Sequence, residues 1–453
     1  MLFHSAEYLF LFLPLCLLLF SAFRTPAGRM ASLLVLSLYF YMVAYPAYIL
    51  ILLGLIGFDY GAALWINRLQ GPKRKLVLVF ALMANVGLIA VFKYYNFFAD
   101  NLRWTGFNLP AHSWILPVGL SFHTFQSMSY LIEVFRKSFP CEHSLPRYAL
   151  YVLFFPQMVA GPIERPQNIL PQFSPLPAFD PGQLKPGIFQ FVRGLWMKVA
   201  VADVLTEWID PVFRDPGQAS VPQVWLAIFF FGIQIYADFS GYSNMALGTA
   251  RMLGIDLMVN FRQPYLATSL SDFWRRWHIS LSTWFRDYVY IPLGGNRAGN
   301  FKAARNLFLV FALSGLWHGA GWNFVVWGLL HGLAIAVESF WSGKSALGKS
   351  QFIGWIRTQA WVFFCWVFFR ATSVEEALRV LGAAFPKDAP GLPLSPQQGI
   401  YGLILSVLVL LSERFSWQEK GFRLLGWIWI AGLAVTAYFL GTFQSNSFIY
   451  FQF

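Results

Sequence analysis

Tyr8-Leu-Phe-Leu-Phe-Leu-Pro-Leu-Cys-Leu-Leu-Leu-Phe-Ser-Ala-Phe23 is sixteen residues without a charge, and Arg24 and Arg29 follow it. No basic segment precedes this run, Glu7 being the only early charge, and no small-residue cleavage site follows it. It therefore reads as a membrane helix and not as a secretion signal. Basic residues are retained on the cytoplasmic side, so Arg24 and Arg29 anchor the C-terminal end of the helix there and leave the N-terminus outside.

Working outward, further runs near the roughly 20 residues needed to cross about 30 Å of hydrocarbon recur along the chain. They lie at 31–46, 47–66, 76–97, 115–135, 189–208, 222–246, 353–370, 397–412 and 424–442, with a close pair over 306–341. Tyr45-Pro46 separates the second run from the third, because a proline disfavours helix at the residue before it. Alternating sides from the first helix places Lys and Arg inside rather than outside by about four to one. Both termini are then extracytoplasmic. The segment 148–163, with Phe154-Phe155-Pro156, is apolar but short and broken, and reads as re-entrant or interfacial.

Composition agrees. Of 453 residues 57% are apolar and 12% charged, half the roughly 25% of a soluble domain. Mean hydropathy is +0.53. Forty-eight Phe, 19 Trp and 19 Tyr exclude disorder. Cys16, Cys141 and Cys365 are too far apart for a disulfide scaffold and show no metal-ligand spacing, so no metal site is expected. The formal charge of +12 is distributed by membrane side and does not point to nucleic acid. The absence of an inverted repeat argues against secondary transport.

Two segments carry candidate chemistry. Over Ser271–Tyr288, helical spacing puts Trp274, Trp277, Leu281, Trp284, Phe285 and Tyr288 on one stripe and Arg275, His278, Ser282 and Arg286 on another. This predicts one helix lying in the cytoplasmic interface with its tryptophans at headgroup depth. Its arginines suit either anionic lipid or the phosphates of a cytosolic ligand, and Arg297 follows in the turn Ile291–Arg297. In Leu313-Ser-Gly-Leu-Trp-His318-Gly-Ala-Gly-Trp322, an imidazole sits among glycines and tryptophans; His331 follows. An intramembrane histidine kept neutral can act as a general base or simply pack. His4, His112, His123 and His143 are expected to pack. Asp238 is an intramembrane carboxylate that needs a partner, either a histidine that it orients or an arginine; the structural pairing is the expectation.

The chain resembles the membrane-bound O-acyltransferase family, in its bacterial alginate O-acetyltransferase branch. The likeness rests on Gln157-Met-Val-Ala-Gly-Pro162, Tyr236-Ala-Asp-Phe-Ser-Gly-Tyr-Ser-Asn244, Asn260-Phe-Arg-Gln-Pro264, Phe273–Trp284, Tyr290–Arg297, Leu316-Trp-His-Gly319 and Phe448–Phe453. The resemblance implies an all-α polytopic bundle of roughly 10–12 transmembrane helices, with re-entrant and interfacial helices around a central tunnel. It forms one acyltransferase domain: N-terminal spans over 1–135, a catalytic core over 136–345, and C-terminal spans with an extracytoplasmic tail over 346–453. It further implies transfer of acetyl from cytosolic acetyl-CoA, a substrate and not a resident cofactor, for O-acetylation of an exported alginate- or cellulose-like polysaccharide.

By the same likeness His318 and His278 are the catalytic histidines, and Arg275, Arg276, Arg286 and Arg297 face the donor. Asp238, Ser240, Asn244, Asn260, Trp317 and His331 line or support the tunnel, and the Tyr450 hydroxyl relays the acyl group. The expected partners are membrane lipids, a polysaccharide synthase and export complex, and an extracytoplasmic SGNH-hydrolase-like acetyltransferase that completes the transfer. The expected location is the bacterial inner membrane. Peptidoglycan O-acetylation and D-alanyl transfer to teichoic acid stay open within the family; outside it, so does a flippase for a lipid-linked sugar or acyl carrier.

Overall fold

A computed structural model describes residues 1–43, 46–114, 116–117, 119–159, 161–297, 299–341, 350–386, 389–412 and 423–441. Every regular element among them is helical. Five helices are long and apolar enough to cross a membrane: Pro46–Arg68, Gly71–Thr105, Val221–Met252, Trp322–Phe340 and Gln351–Arg370. Shorter apolar helices cover Tyr8–Ala22 and Pro396–Ser412. The protein is thus an all-α, multi-pass membrane protein. Asn300–His318 and Trp322–Trp341 form the hairpin expected near 306–341. The stretch 371–396, between the runs 353–370 and 397–412, contains the helix Val374–Ala383, whose first turn is capped by Ser373 accepting from the Glu376 N–H.

The chain divides into two compact units. The first comprises Met1–Phe191 and Tyr242–Met258. Its core holds the interlocking rings of Phe3, Tyr8, Phe12, Phe40, Phe155 and Tyr242, and the Tyr8 hydroxyl meets Thr249 Oγ1 at 2.8 Å. The segment 148–163 does not span: Leu145–Leu153 ends at Phe154 and only the short helix Phe155–Met158 follows. Its broken backbone is satisfied from within the protein, as apolar surroundings demand. Phe155 N–H donates to Ser37 Oγ at 3.2 Å, and Gln157 Nε2 to the Tyr151 carbonyl at 2.6 Å. His123, in the same unit, packs edge-on near Tyr41. Arg29 is buried and caps carbonyls at Phe23, Arg24 and Leu176. It therefore closes helix ends besides marking a side.

The second unit comprises Val192–Gly241 and Val259–Phe453. Its hairpin is close-packed through glycine. A Cβ on Gly315 would lie 2.2 Å from the Phe324 carbonyl oxygen, and one on Gly328 2.1 Å from that of Phe311. Backbones in contact replace side-chain packing here, the usual use of small residues between membrane helices. Asn323 ties the hairpin to the end of Gln351–Arg370 by donating to the carbonyls of Phe368 and Ala371 at 3.3 and 2.7 Å.

Candidate functional site

The 271–288 segment is not the single interfacial helix that its periodicity predicts. It is two short helices, Leu270–Arg276 and Ile279–Phe285, broken at Trp277-His278. His278 sits in the left-handed region at φ 42°, a conformation that costs a non-glycine residue on the order of 1–3 kcal/mol. Long-range hydrogen bonds hold it there. Ile279 N–H donates to the Asn260 carbonyl at 2.9 Å, and Ser280 Oγ to Asn260 Oδ1 at 2.6 Å. Arg262 N–H donates to the Arg276 carbonyl at 3.0 Å. The Asn260–Pro264 motif is thus a clamp for the kink.

The aromatic stripe also faces elsewhere than the sequence suggests. Trp277 and Trp284 are only 1% and 4% exposed, covered by protein and not by lipid headgroups. The kink splits the polar stripe of Arg275, His278, Ser282 and Arg286 as well. His278 is fully buried, with its ring edge-on to Phe239 at 4.6 Å between centroids. Burial alone pulls its pKa down to about 3, so the ring is neutral at physiological pH.

The hairpin brings His318 to the same place. It is the last residue of Asn300–His318, 3% exposed, walled by Trp317, Trp327 and Phe369 at 5.0, 5.0 and 5.2 Å. The centroids of His278 and His318 are 6.3 Å apart. That is packing distance for two rings and too far for a direct hydrogen bond between ring nitrogens. His331, one helix away in the same aromatic box, accepts at Nδ1 from Trp274 Nε1 at 3.4 Å, which assigns its proton to Nε2.

The remaining sequence candidates divide. Ser240 and Asn260 are buried in the second unit with the histidines. Asn244 belongs to the first unit, where its Oδ1 accepts from Gln190 at 3.4 Å. Arg275 and Arg297 are exposed. Arg276 and Arg286 are paired with Asp272 and Asp287 at 3.0 and 2.7 Å. Asp238 meets a lysine, Lys198, at 2.8 Å, and Lys198 also meets Asp203 at 2.7 Å. Tyr450 lies outside the described residues.

Sequence reading passed over Lys198, Asp203, Phe239 and Phe369. A lysine inside an apolar run was the available signal for the first; the rings carried none, since one Phe among 48 looks like another.

Residues 75–375 match the model of the membrane-bound O-acyltransferase family. Over 418 residues the chain is 37% identical to a peptidoglycan O-acetyltransferase of Helicobacter pylori, covering 84% of this chain and 79% of the relative. Over 422 residues it is 37% identical to a probable alginate O-acetylase, AlgI, of Pseudomonas aeruginosa, covering 90% and 80%. A teichoic acid D-alanyltransferase of Streptococcus thermophilus is 26% identical over 50% of this chain and 58% of its own length.

Proposed function

The chain belongs to the membrane-bound O-acyltransferase family and is an acyltransferase, and from that premise we propose that it takes acetyl from cytosolic acetyl-CoA and delivers it for O-acetylation of an exported, alginate-like polysaccharide. The observation that carries this reading is the pairing of His278 and His318 in one water-poor aromatic box. In the proposed reaction His318 removes the proton of an acceptor hydroxyl as its oxygen attacks the thioester carbonyl. The new ester bond forms, the C–S bond breaks, and the proton leaves with the thiol of coenzyme A. General-base assistance of this kind is worth roughly 10²–10⁴ in rate, and a dry box protects the thioester from hydrolysis.

His278, neutral and fixed by its kink, lies beside His318 and in the proposed reaction positions the reacting group. The exposed guanidinium groups of Arg275 and Arg297, and those of Arg276 and Arg286 on exchange from their carboxylates, meet the donor's phosphates. Tyr450 is the proposed acyl relay to the outer side, where a separate SGNH-hydrolase-like acetyltransferase, working with a polysaccharide synthase and export complex, completes the transfer. The proposed location is the bacterial inner membrane with both termini outside.

The test is labelled acetyl-CoA added to membranes that contain the chain, with hydroxylamine release of the label as the sign of an O-acetyl ester. His318→Ala should abolish transfer while the protein still folds. Full transfer by that variant would remove His318 from the chemistry, and substrate flux without thioester consumption would speak for a carrier. Tyr450→Phe with undiminished polymer acetylation would remove the relay alone. Mass spectrometry of the acetylated product separates an alginate-like polymer from peptidoglycan.

A further inference from the structure

In the ion cluster Lys198–Asp203–Asp238 the three side chains are 2–4% exposed. A buried triad of this kind is a poor way to gain stability, since well-packed apolar residues of similar volume serve the fold as well or better. What a triad can supply is register. Lys198 projects from the π-helical turn Met197–Ala202, a local widening that is common at functional sites. The Val221–Met252 helix runs against this turn with backbones touching: a Cβ on Gly241 would come within 2.8 Å of the Gly194 carbonyl oxygen and 3.1 Å of the Lys198 nitrogen.

On that helix Asp238 is flanked by the two residues that seat the kink. Phe239 meets His278 edge-on at 4.6 Å. Tyr236, three residues before Phe239 and so on the same face, contacts Trp277 at 6.0 Å, Phe261 at 5.5 Å and Tyr265 at 5.4 Å. One turn of helix therefore grips the His278 kink through two rings and is itself gripped by an ammonium.

We propose that Lys198 is a positioning residue for His278: anchored by Asp203, its ammonium holds Asp238 and so fixes the rotation and height of the helix turn on which the His278 kink is seated. The inference deepens the acetyl-transfer reading and rests on it for its kinetic consequence, but not for its structural one.

The experiment uses the full chain in detergent, with two readouts. One is steady-state transfer from labelled acetyl-CoA; the other is amide hydrogen exchange over 277–281, which needs no activity. Asp203→Asn leaves a neutral Lys198–Asp238 pair but removes the anchor of the ammonium, and should lower kcat and raise exchange less than Asp238→Asn does; an effect equal to or larger than that of Asp238→Asn speaks against the proposed order of the contacts. Asp238→Asn should lower kcat at least 30-fold, with KM for acetyl-CoA within threefold, and raise exchange at least tenfold. Because a lone buried charge can itself unfold the chain, the charge-free variant Lys198→Met/Asp203→Asn/Asp238→Asn is the decisive one. It should remain monodisperse on size exclusion and still show the loss of kcat and the faster exchange. A charge-free variant that keeps wild-type exchange overturns the proposal, as does one that cannot be isolated folded, which would make the triad a stability element. Unchanged exchange speaks against positioning; a wild-type chain that moves no acetyl speaks against the proposed donor instead and leaves the exchange result to decide.

Discussion

Gly315→Ala adds one methyl group at the point where the two hairpin helices touch. That carbon would stand 2.2 Å from the Phe324 carbonyl oxygen and 2.9 Å from its carbonyl carbon. Backbone cannot rotate aside as a side-chain tip can, so ordinary contact requires the helices to part by about 1 Å. Overpacking of this kind costs roughly 1–3 kcal/mol, offset in part by the ~1 kcal/mol that alanine gains over glycine in a helix. The catalytic effect is the larger one. His318 is three residues further along the same helix and on the same face, so it moves with Gly315. A misplacement of about 1 Å is worth on the order of 10² in rate. The expected result is therefore a small drop in thermal midpoint and a roughly 100-fold drop in kcat for transfer from labelled acetyl-CoA. Gly54→Ala is the control, because a Cβ there meets nothing within 4 Å; it should behave as wild type. A Gly315→Ala enzyme with wild-type turnover would refute the claim that hairpin contact places His318.

Three further outcomes are expected. Asn260→Ala leaves the Ser280 hydroxyl without its acceptor and loosens the kink, costing roughly 1–3 kcal/mol; thermal melting of Asn260→Ala and Asn260→Ala/Ser280→Ala checks it, the double variant recovering part of the loss. His278 is held neutral by burial with its pKa near 3, below the ordinary value of 6.5, so its contribution is present above pH 6.5 and is lost as pH falls toward 3. Melting curves should drop by at most ~1.4 kcal/mol per unit below pH 6.5, and His278→Phe should flatten that dependence. Glu164 shifts the opposite way: buried, and accepting from the Met258 N–H and Asn168, its carboxyl is pushed up to about 7, mainly by desolvation. Its contribution is full below pH 4.5 and is lost as pH rises through 7, so Glu164→Gln should abolish the part of the alkaline-side destabilisation that falls in that window.

Hydropathy was readable without a structure because spanning a bilayer is a property summed over about 20 residues, insensitive to which neighbour each side chain meets. The helices 26–42, 49–68, 221–252, 351–370 and 396–412 fall where the runs place them. His318 was legible for a related reason: an imidazole in an apolar segment is costly enough to be conspicuous.

Local periodicity failed where distant partners outweighed it. The 3.6-residue pattern continues unbroken through 271–288, yet the Asn260 carbonyl and the Arg262 N–H take backbone hydrogen bonds that would have continued the helix, and His278 turns left-handed. Nor does an apolar stripe say whether lipid or protein covers it; Trp277 is buried in the second unit's own core, and Trp284 is buried as well. The amino-acid sequence by itself determined a many-helix membrane protein with His318 and His278 as its chemical candidates. Only the tertiary structure decided that these two rings lie side by side, that Asn260 holds the kink at one of them, and that Lys198 belongs to Asp203 and Asp238. The reason is that the contacts of 260 with 280, 198 with 238 and 278 with 318 join residues 20 to 40 positions apart, which no local pattern encodes.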